Sequence, residues 1–261
     1  MSAAASIRGS AHAAVIRPEF TRPNFEGQGQ EKRQFVHGLF TTIAPRYDWF
    51  NRLASLGLDV HWRRIAVRRG GVAPGMRVLD VCTGTGDFAL LCATRQRGQG
   101  VVAGADFTHA MLTAARRKQQ AKRLRVGWVE ADALTLPFAA GGFDRVLIGF
   151  STRNLSNLAD GLRELLRVLK PDGTLIVLET GSPSHPAIAA GYRIFLGSVV
   201  RVIGLLLTGR MWPFTYLAKS VKGFLRPAEF VALMGTLGAS AEYVPLSGGL
   251  ASLYLIRKST A

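Results

Sequence analysis

The residues with the clearest chemical purpose are Asp80, Gly84, Gly86 and Asp87, within the run Val78-Leu79-Asp80-Val81-Cys82-Thr83-Gly84-Thr85-Gly86-Asp87. Branched apolar residues at 78, 79 and 81 read as a buried parallel strand. Gly84 and Gly86 let the backbone turn sharply and approach a ligand closely. Asp87 falls where a helix begins, beside N–H groups that favour negative charge. A strand, a glycine loop and a helix in this order cradle a nucleotide-like ligand at the strand's carboxyl end. About twenty residues on, Asp106 ends the next apolar run, where a carboxylate accepts from ribose hydroxyls. Asp132, in Glu130-Ala131-Asp132-Ala133, follows a third run and can accept from an adenine amino group. Asp80 precedes the glycines, where it can order the loop or reach the amino-acid part of a ligand.

Such a set of acids needs a sheet to align it. Strands are expected at about 77–81, 101–105, 126–129, 145–149 and 174–179, with helices at 87–95, 109–122 and 158–169 between them. Thr108 reads as the cap of the second helix. Lys170-Pro171-Asp172-Gly173 reads as the stop of the third. This alternation predicts an α/β fold: a doubly wound, mostly parallel, seven-stranded sheet. A helix from about 226 to 237 and strands at 241–244 and 252–256, joined at Ser247-Gly248-Gly249, close it as a hairpin. Ahead of the first strand, residues 31–71 carry three helical runs that could cover the nucleotide pocket as a lid. Asp48 is a plausible N-cap of the second and His61-Trp62-Arg63-Arg64 opens the third. Residues 1–30 read as a flexible arm, its first part faintly like an organellar transit peptide. The remaining chain divides into a donor-binding half at 72–180, an apolar insertion at 181–224 and the closing helix and hairpin at 225–261.

The 261 residues carry a formal net charge of +16 with 48% hydrophobic side chains, an imbalance that comes from scarce acids. It favours anionic partners such as phospholipid surfaces, nucleic acid or acidic substrates. Cys82 and Cys92 have no metal-ligand spacing, and a reduced intracellular compartment is the default. Cys82 reads as a small residue filling a tight turn. Ala187 to Leu207 is nearly all apolar but contains Arg193 and Arg201. A spanning helix would carry about 2.5–3.5 kcal/mol for each arginine near its centre. On a regular helix the two lie about 80° apart, one basic flank beside an apolar face, which suits a bilayer surface. An ordinary core helix with snorkelling arginines is the alternative.

Gly84-Thr85-Gly86-Asp87-Phe88-Ala89 formally fits the dinucleotide-binding GxGxxG/A, so a nicotinamide dehydrogenase must be weighed. Asp80, Asp132 and the closing hairpin favour a class I methyltransferase instead. Phe40-Thr41-Thr42-Ile43-Ala44-Pro45-Arg46-Tyr47-Asp48, with Asn51, Ser55, Gly57 and Trp62-Arg63, resembles the first signature of the ubiquinone/menaquinone biosynthesis C-methyltransferase family. Arg153-Asn154, Leu165 to Gly173 and Leu178-Glu179 resemble its second, and Tyr216 to Ser220 a third block. The resemblance covers roughly 35–256. It implies S-adenosylmethionine as methyl donor and a prenylated quinol as acceptor, in menaquinone or ubiquinone synthesis. Its donor contacts fall on Thr85, Asp106, Asp132 and Ala133. A family serine aligns with Gly149, whose loss Ser151 or Thr152 could offset.

On this reading Arg153 holds the phenolate form of the quinol, and Asn154 donates to a quinol oxygen or caps a turn. Tyr47 and Asp48 reach donor or acceptor from the lid. His61 reads as a surface or capping residue and Trp62 as packing. The expected partners are a lipophilic quinol and, through the basic apolar insertion, a membrane surface, with a homodimer left open. The expected location is the cytoplasm, at the membrane face, with organellar import left open. No metal and no nucleic-acid partner are expected. An RNA methyltransferase is prompted only by the charge, and an Asn-Pro-Pro-Tyr-type base-flipping motif is missing. A methyltransferase for another lipophilic or small acceptor stays open.

Overall fold

The computed structural model describes residues 29–259 apart from 182, 184, 210 and 211. Nearly all of the expected N-terminal arm, with its transit-peptide-like part, lies outside the described residues. Seven strands form one sheet: β1 (Arg77–Val81), β2 (Val101–Asp106), β3 (Gly127–Glu130), β4 (Phe143–Gly149), β5 (Leu169–Thr180), β6 (Ala239–Leu246) and β7 (Ala251–Lys258). Their order is β3-β2-β1-β4-β5-β7-β6. The first five run parallel, and β7 inserts antiparallel between β5 and β6. Order reverses at β1, between β2 and β4, so a crevice opens beyond the carboxyl ends of these strands.

The two-residue period of each strand sends alternate side chains to opposite faces. Leu79, Val81, Val146, Ile148 and Val177 pack with Leu162, Leu165 and Leu166 of α6 (Leu158–Val168) and with Phe230 and Met234 of α10 (Pro227–Thr236). Val78, Val102, Leu147 and Ile176 face the other way, toward α3 (Leu58–Arg69) and α4 (Asp87–Gln96). A third cluster joins α1 (Gln30–Ile43) and α2 (Tyr47–Ala54) to α8 (Val200–Thr208) and α9 (Trp212–Lys222). Gly204 lets α8 and α9 interlock, since a Cβ there would lie 2.0 Å from the Phe214 ring. The third cluster therefore roofs the crevice with residues from the helices before β1 and after β5.

Some boundaries differ from expectation. α3 starts at Leu58 rather than His61. Lys170 to Gly173 does not simply end a helix: α6 stops at Val168, and Leu169 already pairs with Phe143. Arg145 then pairs with Thr174, so the four intervening residues bulge across Asp144, and Lys170 Nζ meets its Oδ1 at 2.5 Å. Thr108 occupies the N-cap position of α5 (His109–Lys122), but its hydroxyl makes no cap bond. Asp48 is not an N-cap either; it lies inside α2, whose flanking residue is Arg46. A π-helical turn, Phe195–Val199, separates α7 (Pro186–Ile194) from α8. It breaks the regular 100° progression, so the separation expected of Arg193 and Arg201 does not apply.

Candidate active site

At the end of β1 the chain turns through three left-handed residues, Cys82, Gly84 and Gly86, with φ of 52°, 55° and 83°. The two glycines serve different ends. A Cβ on Gly84 would meet only the Tyr47 ring, at 3.8 Å, so its backbone faces open space. A Cβ on Gly86 would sit 2.6 Å from the Trp128 ring, so that glycine permits packing. Asp80 is buried under the loop, accepting from the Thr83 hydroxyl and from the Ala89 N–H at 3.0 Å. Burial pushes its carboxyl up to about 7. At the end of β2, Asp106 accepts from the N–H groups of Gly84 and Thr108, both at 2.8 Å. Asp132 accepts from the Leu134 N–H at 3.0 Å and pairs with Arg33 of α1 at 2.7 Å.

These acids, with Thr85, Ala133 and Gly149, line one cavity. Val36, Phe40 and Tyr47 wall it from the helices preceding β1. Burial and then the nearby Asp106, Asp80 and Asp132 push the Cys82 thiol well above its ordinary range, which removes it as a nucleophile.

A second cavity adjoins the first and shares Phe40, Tyr47, Arg63 and Asn154 with it. Its walls are mostly apolar and aromatic: Phe50 and Ala54 of α2, Trp62, Phe150, Leu196 and Phe214. Its polar end is the 3-10 turn Thr152–Asn154. Arg153 is buried and donates through one terminal nitrogen to Glu179, which is itself 1% exposed. Glu179 also accepts from the Thr152 hydroxyl at 2.6 Å and the Thr180 N–H at 2.8 Å. Asn154 Oδ1 accepts from the Tyr216 hydroxyl at 3.3 Å.

Two donors at this turn are buried and have no partner among the described residues: Arg153 Nε and Asn154 Nδ2. Burial pushes the Tyr192 and Tyr216 hydroxyls, which line the same cavity, up to about 12, so both stay neutral. Lys32 of α1 holds the turn from behind, donating to the carbonyls of Arg153, at 3.2 Å, and Leu155. Burial lowers its ammonium to about 8.

Of the residues singled out in the sequence, Asp80, Gly84, Thr85, Asp106, Asp132, Ala133 and Gly149 come together in the first cavity, with Tyr47 and Asn154 at its junction with the second. Arg153 lines the second alone. Gly86 lines neither, because Trp128 occupies its open side. Asp48 lines neither: it accepts from the Thr85 hydroxyl at 2.5 Å and pairs with Lys118 at 2.9 Å, fastening α2 to the glycine loop. His61 is exposed and lines neither cavity.

The serine absent at 149 has a physical reason, since a Cβ there would lie 2.5 Å from the Phe88 ring. Ser151 lines the first cavity, whereas the Thr152 hydroxyl is committed to Glu179. The sequence reading missed Arg63, whose guanidinium lies 5.7 Å from the Phe88 ring centroid and 5.3 Å from that of Phe150, between the two cavities. It also missed Lys32 and Arg33. Trp62-Arg63 carried a signal, being part of the first signature; Lys32 carried none.

The glycine loop at the switch point, the acids after three successive strands and the β7–β6 ending define a class I methyltransferase. Solved structures with this fold include a SAM-dependent methyltransferase from Aquifex aeolicus, 18% identical, TM-score 0.58, over 76% of this chain and 91% of that one. Another is a putative S-adenosyl-L-methionine-dependent methyltransferase from Methanococcus maripaludis, 17% identical, TM-score 0.59, over 85% and 94%. A sequence profile of the ubiE/COQ5 methyltransferase family matches residues 28–258. The chain is 44% identical over 217 residues to a demethylmenaquinone methyltransferase of Thermus thermophilus, covering 83% of this chain and 98% of that one. It is 38% identical over 231 residues to a ubiquinone/menaquinone biosynthesis C-methyltransferase UbiE of Geotalea uraniireducens, covering 87% and 98%. The chain belongs to the ubiE/COQ5 methyltransferase family. It is an enzyme that takes its methyl group from S-adenosylmethionine, and the fold and donor expected from its sequence are borne out.

Proposed function

We propose that this methyltransferase places a methyl group on a ring carbon of a prenylated quinol, in the synthesis of menaquinone, ubiquinone or a related isoprenoid quinone. The names of its relatives support the quinone pathway. The observation that carries the chemistry is the pair of unpartnered donors, Arg153 Nε and Asn154 Nδ2, at the polar end of an aromatic cavity.

The first cavity suits the donor's chemistry. Its acids match a ligand with an ammonium group, ribose hydroxyls and an adenine amine. Asp106 would hold the ribose, Asp132 with Ala133 the adenine, and Thr85 and Gly84 the loop side; Ser151 stands near the Gly149 backbone. The bound donor supplies an electrophilic methyl on a sulfonium. The chain's residues do the rest. Aromatic walls seat the quinol ring and exclude water. Arg153 and Asn154 donate to a ring oxygen, so the phenolate with its electron-rich adjacent carbon is favoured. Arginine is too weak an acid to act as a direct base, so its part is electrostatic. Tyr47, at the junction of the cavities, fixes the approach of one reactant to the other. With the donor bound, transfer would form a carbon–carbon bond as the carbon–sulfur bond breaks, the donor would leave as a neutral thioether, and the ring carbon would lose its proton to solvent.

The acceptor is lipophilic, so we place the enzyme on the cytoplasmic side at a membrane face. The test is methyl transfer from labelled S-adenosylmethionine by the purified chain, in detergent, to reduced demethylated benzoquinols and naphthoquinols. Turnover on one ring type supports the reading and names the ring. Donor binding with no turnover on either would favour another lipophilic acceptor.

A further inference from the structure

Three helices that wall the quinol cavity also turn apolar side chains to the outside. On α2, Phe50 and Ala54 face the cavity, while Trp49 is 68% exposed and Leu53 46%. Leu56, just past the helix, is 80% exposed and sits in the left-handed region at φ 51°, an unfavourable conformation for leucine that buries nothing. From α7 through the π-helical turn to α8, Tyr192, Leu196 and Val200 face inward, while Ile194, Val202 and Leu206 are 68%, 51% and 80% exposed. α2 packs against α8, so the two outer stripes lie on neighbouring helices. Exposed apolar side chains, a tryptophan among them, gathered on neighbouring helices mark a contact site.

The charge around it selects the partner. Between Glu179 and Glu229 the chain holds no Asp or Glu, but it has Arg193, Arg201, Arg210, Lys219, Lys222 and Arg226. A second copy of the chain would bring two such acid-free segments together, and like charges would oppose it. An anionic bilayer presents the complement: phosphate at the rim and hydrocarbon beneath. The segment Pro186–Leu207 is long and apolar enough to cross a membrane, yet Phe195, Leu196, Ile203 and Leu207 pack into the cluster formed with α1, α2 and α9. Crossing would tear out that cluster and open the cavity.

We infer that the surface formed by Trp49, Leu53 and Leu56 with Ile194, Val202 and Leu206 docks on an anionic phospholipid bilayer, with the quinol cavity behind it. This rests on the lipophilic-acceptor reading and deepens it. The helix that carries Asp48 and Tyr47 to the donor side thus carries the lipid anchor on its other face. A long prenyl tail can stay in hydrocarbon while its ring enters between α2 and α8.

The test uses the full chain and sucrose-loaded vesicles, without methyl donor. Sedimentation with vesicles containing phosphatidylglycerol is expected, with much less on pure phosphatidylcholine, and added salt weakens it. Leu53→Glu with Leu206→Glu should lower partitioning about tenfold or more. The same variant should methylate a short-chain, water-soluble quinol at the unaltered rate, because neither residue lines the donor cavity or the quinol cavity. Equal sedimentation of variant and parent overturns the proposal, as does a parent that stays in solution with anionic vesicles. A parent dimer that the variant converts to monomer in vesicle-free solution assigns the surface to a second copy instead. Resistance to alkaline extraction assigns α7–α8 to the bilayer interior, which also overturns it. Vesicle binding is read without turnover, so its failure leaves the quinol reading standing, and failure of turnover leaves the docking result standing.

Discussion

Beneath the glycine loop, the carboxylates are already engaged: Asp80 by Thr83 and Ala89, Asp106 by Gly84 and Thr108, Asp132 by Leu134 and Arg33. Across Tyr47, at the Arg153–Asn154 turn, two donors wait without partners. The first arrangement is a finished scaffold with lone pairs to spare, suited to a ligand whose polar groups never change. The second keeps donors unmet, which costs about 1–3 kcal/mol for each group left unsatisfied. Such a cost is tolerable where charge develops during reaction, because the donors then act at full strength. Donor recognition and acceptor activation are therefore separable in this molecule.

Arg153→Lys tests that separation most severely. A cation still faces Glu179, but the Nε–H is gone. We expect kcat to fall about 10²–10³-fold, while donor affinity measured by calorimetry stays put. A matching loss of donor affinity would merge the two regions. Asp106→Asn is the mirror experiment. One amide atom can no longer accept from Gly84 or Thr108, so the loop loosens. Donor Kd is expected to rise about 10–100-fold, with kcat at saturating donor changed less than about threefold. Gly149→Ser addresses the wall between the regions. Its Cβ meets Phe88, so urea unfolding should show about 1–3 kcal/mol of destabilisation. Adding Phe88→Leu should recover most of it.

Two further effects are in pH, and they have opposite signs. The folded-state carboxyl of Asp80 is raised to about 7, from an ordinary value of 3.8. Its stabilising contribution is thus full below about pH 4 and is lost as pH rises toward 7. Lys32 is lowered to about 8 from 10.5, so the folded chain sheds this proton first and stability rises between those values. Urea midpoints against pH should flatten in the acid window for Asp80→Asn and in the alkaline window for Lys32→Met. If the midpoints in both windows stay unchanged, neither group is buried as described.

The sheet was legible in the sequence because its signals are local. Branched runs, glycines and their spacing mark strands β1 to β5 whatever surrounds them, and Gly84, Asp106 and Asp132 are fixed by their positions at or just beyond the ends of those strands. The Arg153–Asn154 pair was legible only through resemblance. Asp48 shows where local reading fails: its position near a helix start suggested a cap, but contact with Thr85, 37 residues away in sequence, won. Gly86 likewise looked like a ligand contact until Trp128, from β3, filled its open side.

What the sequence determined alone was the alternation of strands and helices, the acids at the ends of the first three strands and the positive charge, since each follows from residues within one element's reach. Tertiary structure alone decided which donors are left unmet, why Gly149 must be glycine and which apolar side chains stay outside. Those outcomes depend on how Lys32 meets Leu155 across 123 residues and on how α2 meets α8. No short window of sequence encodes packing over such separations.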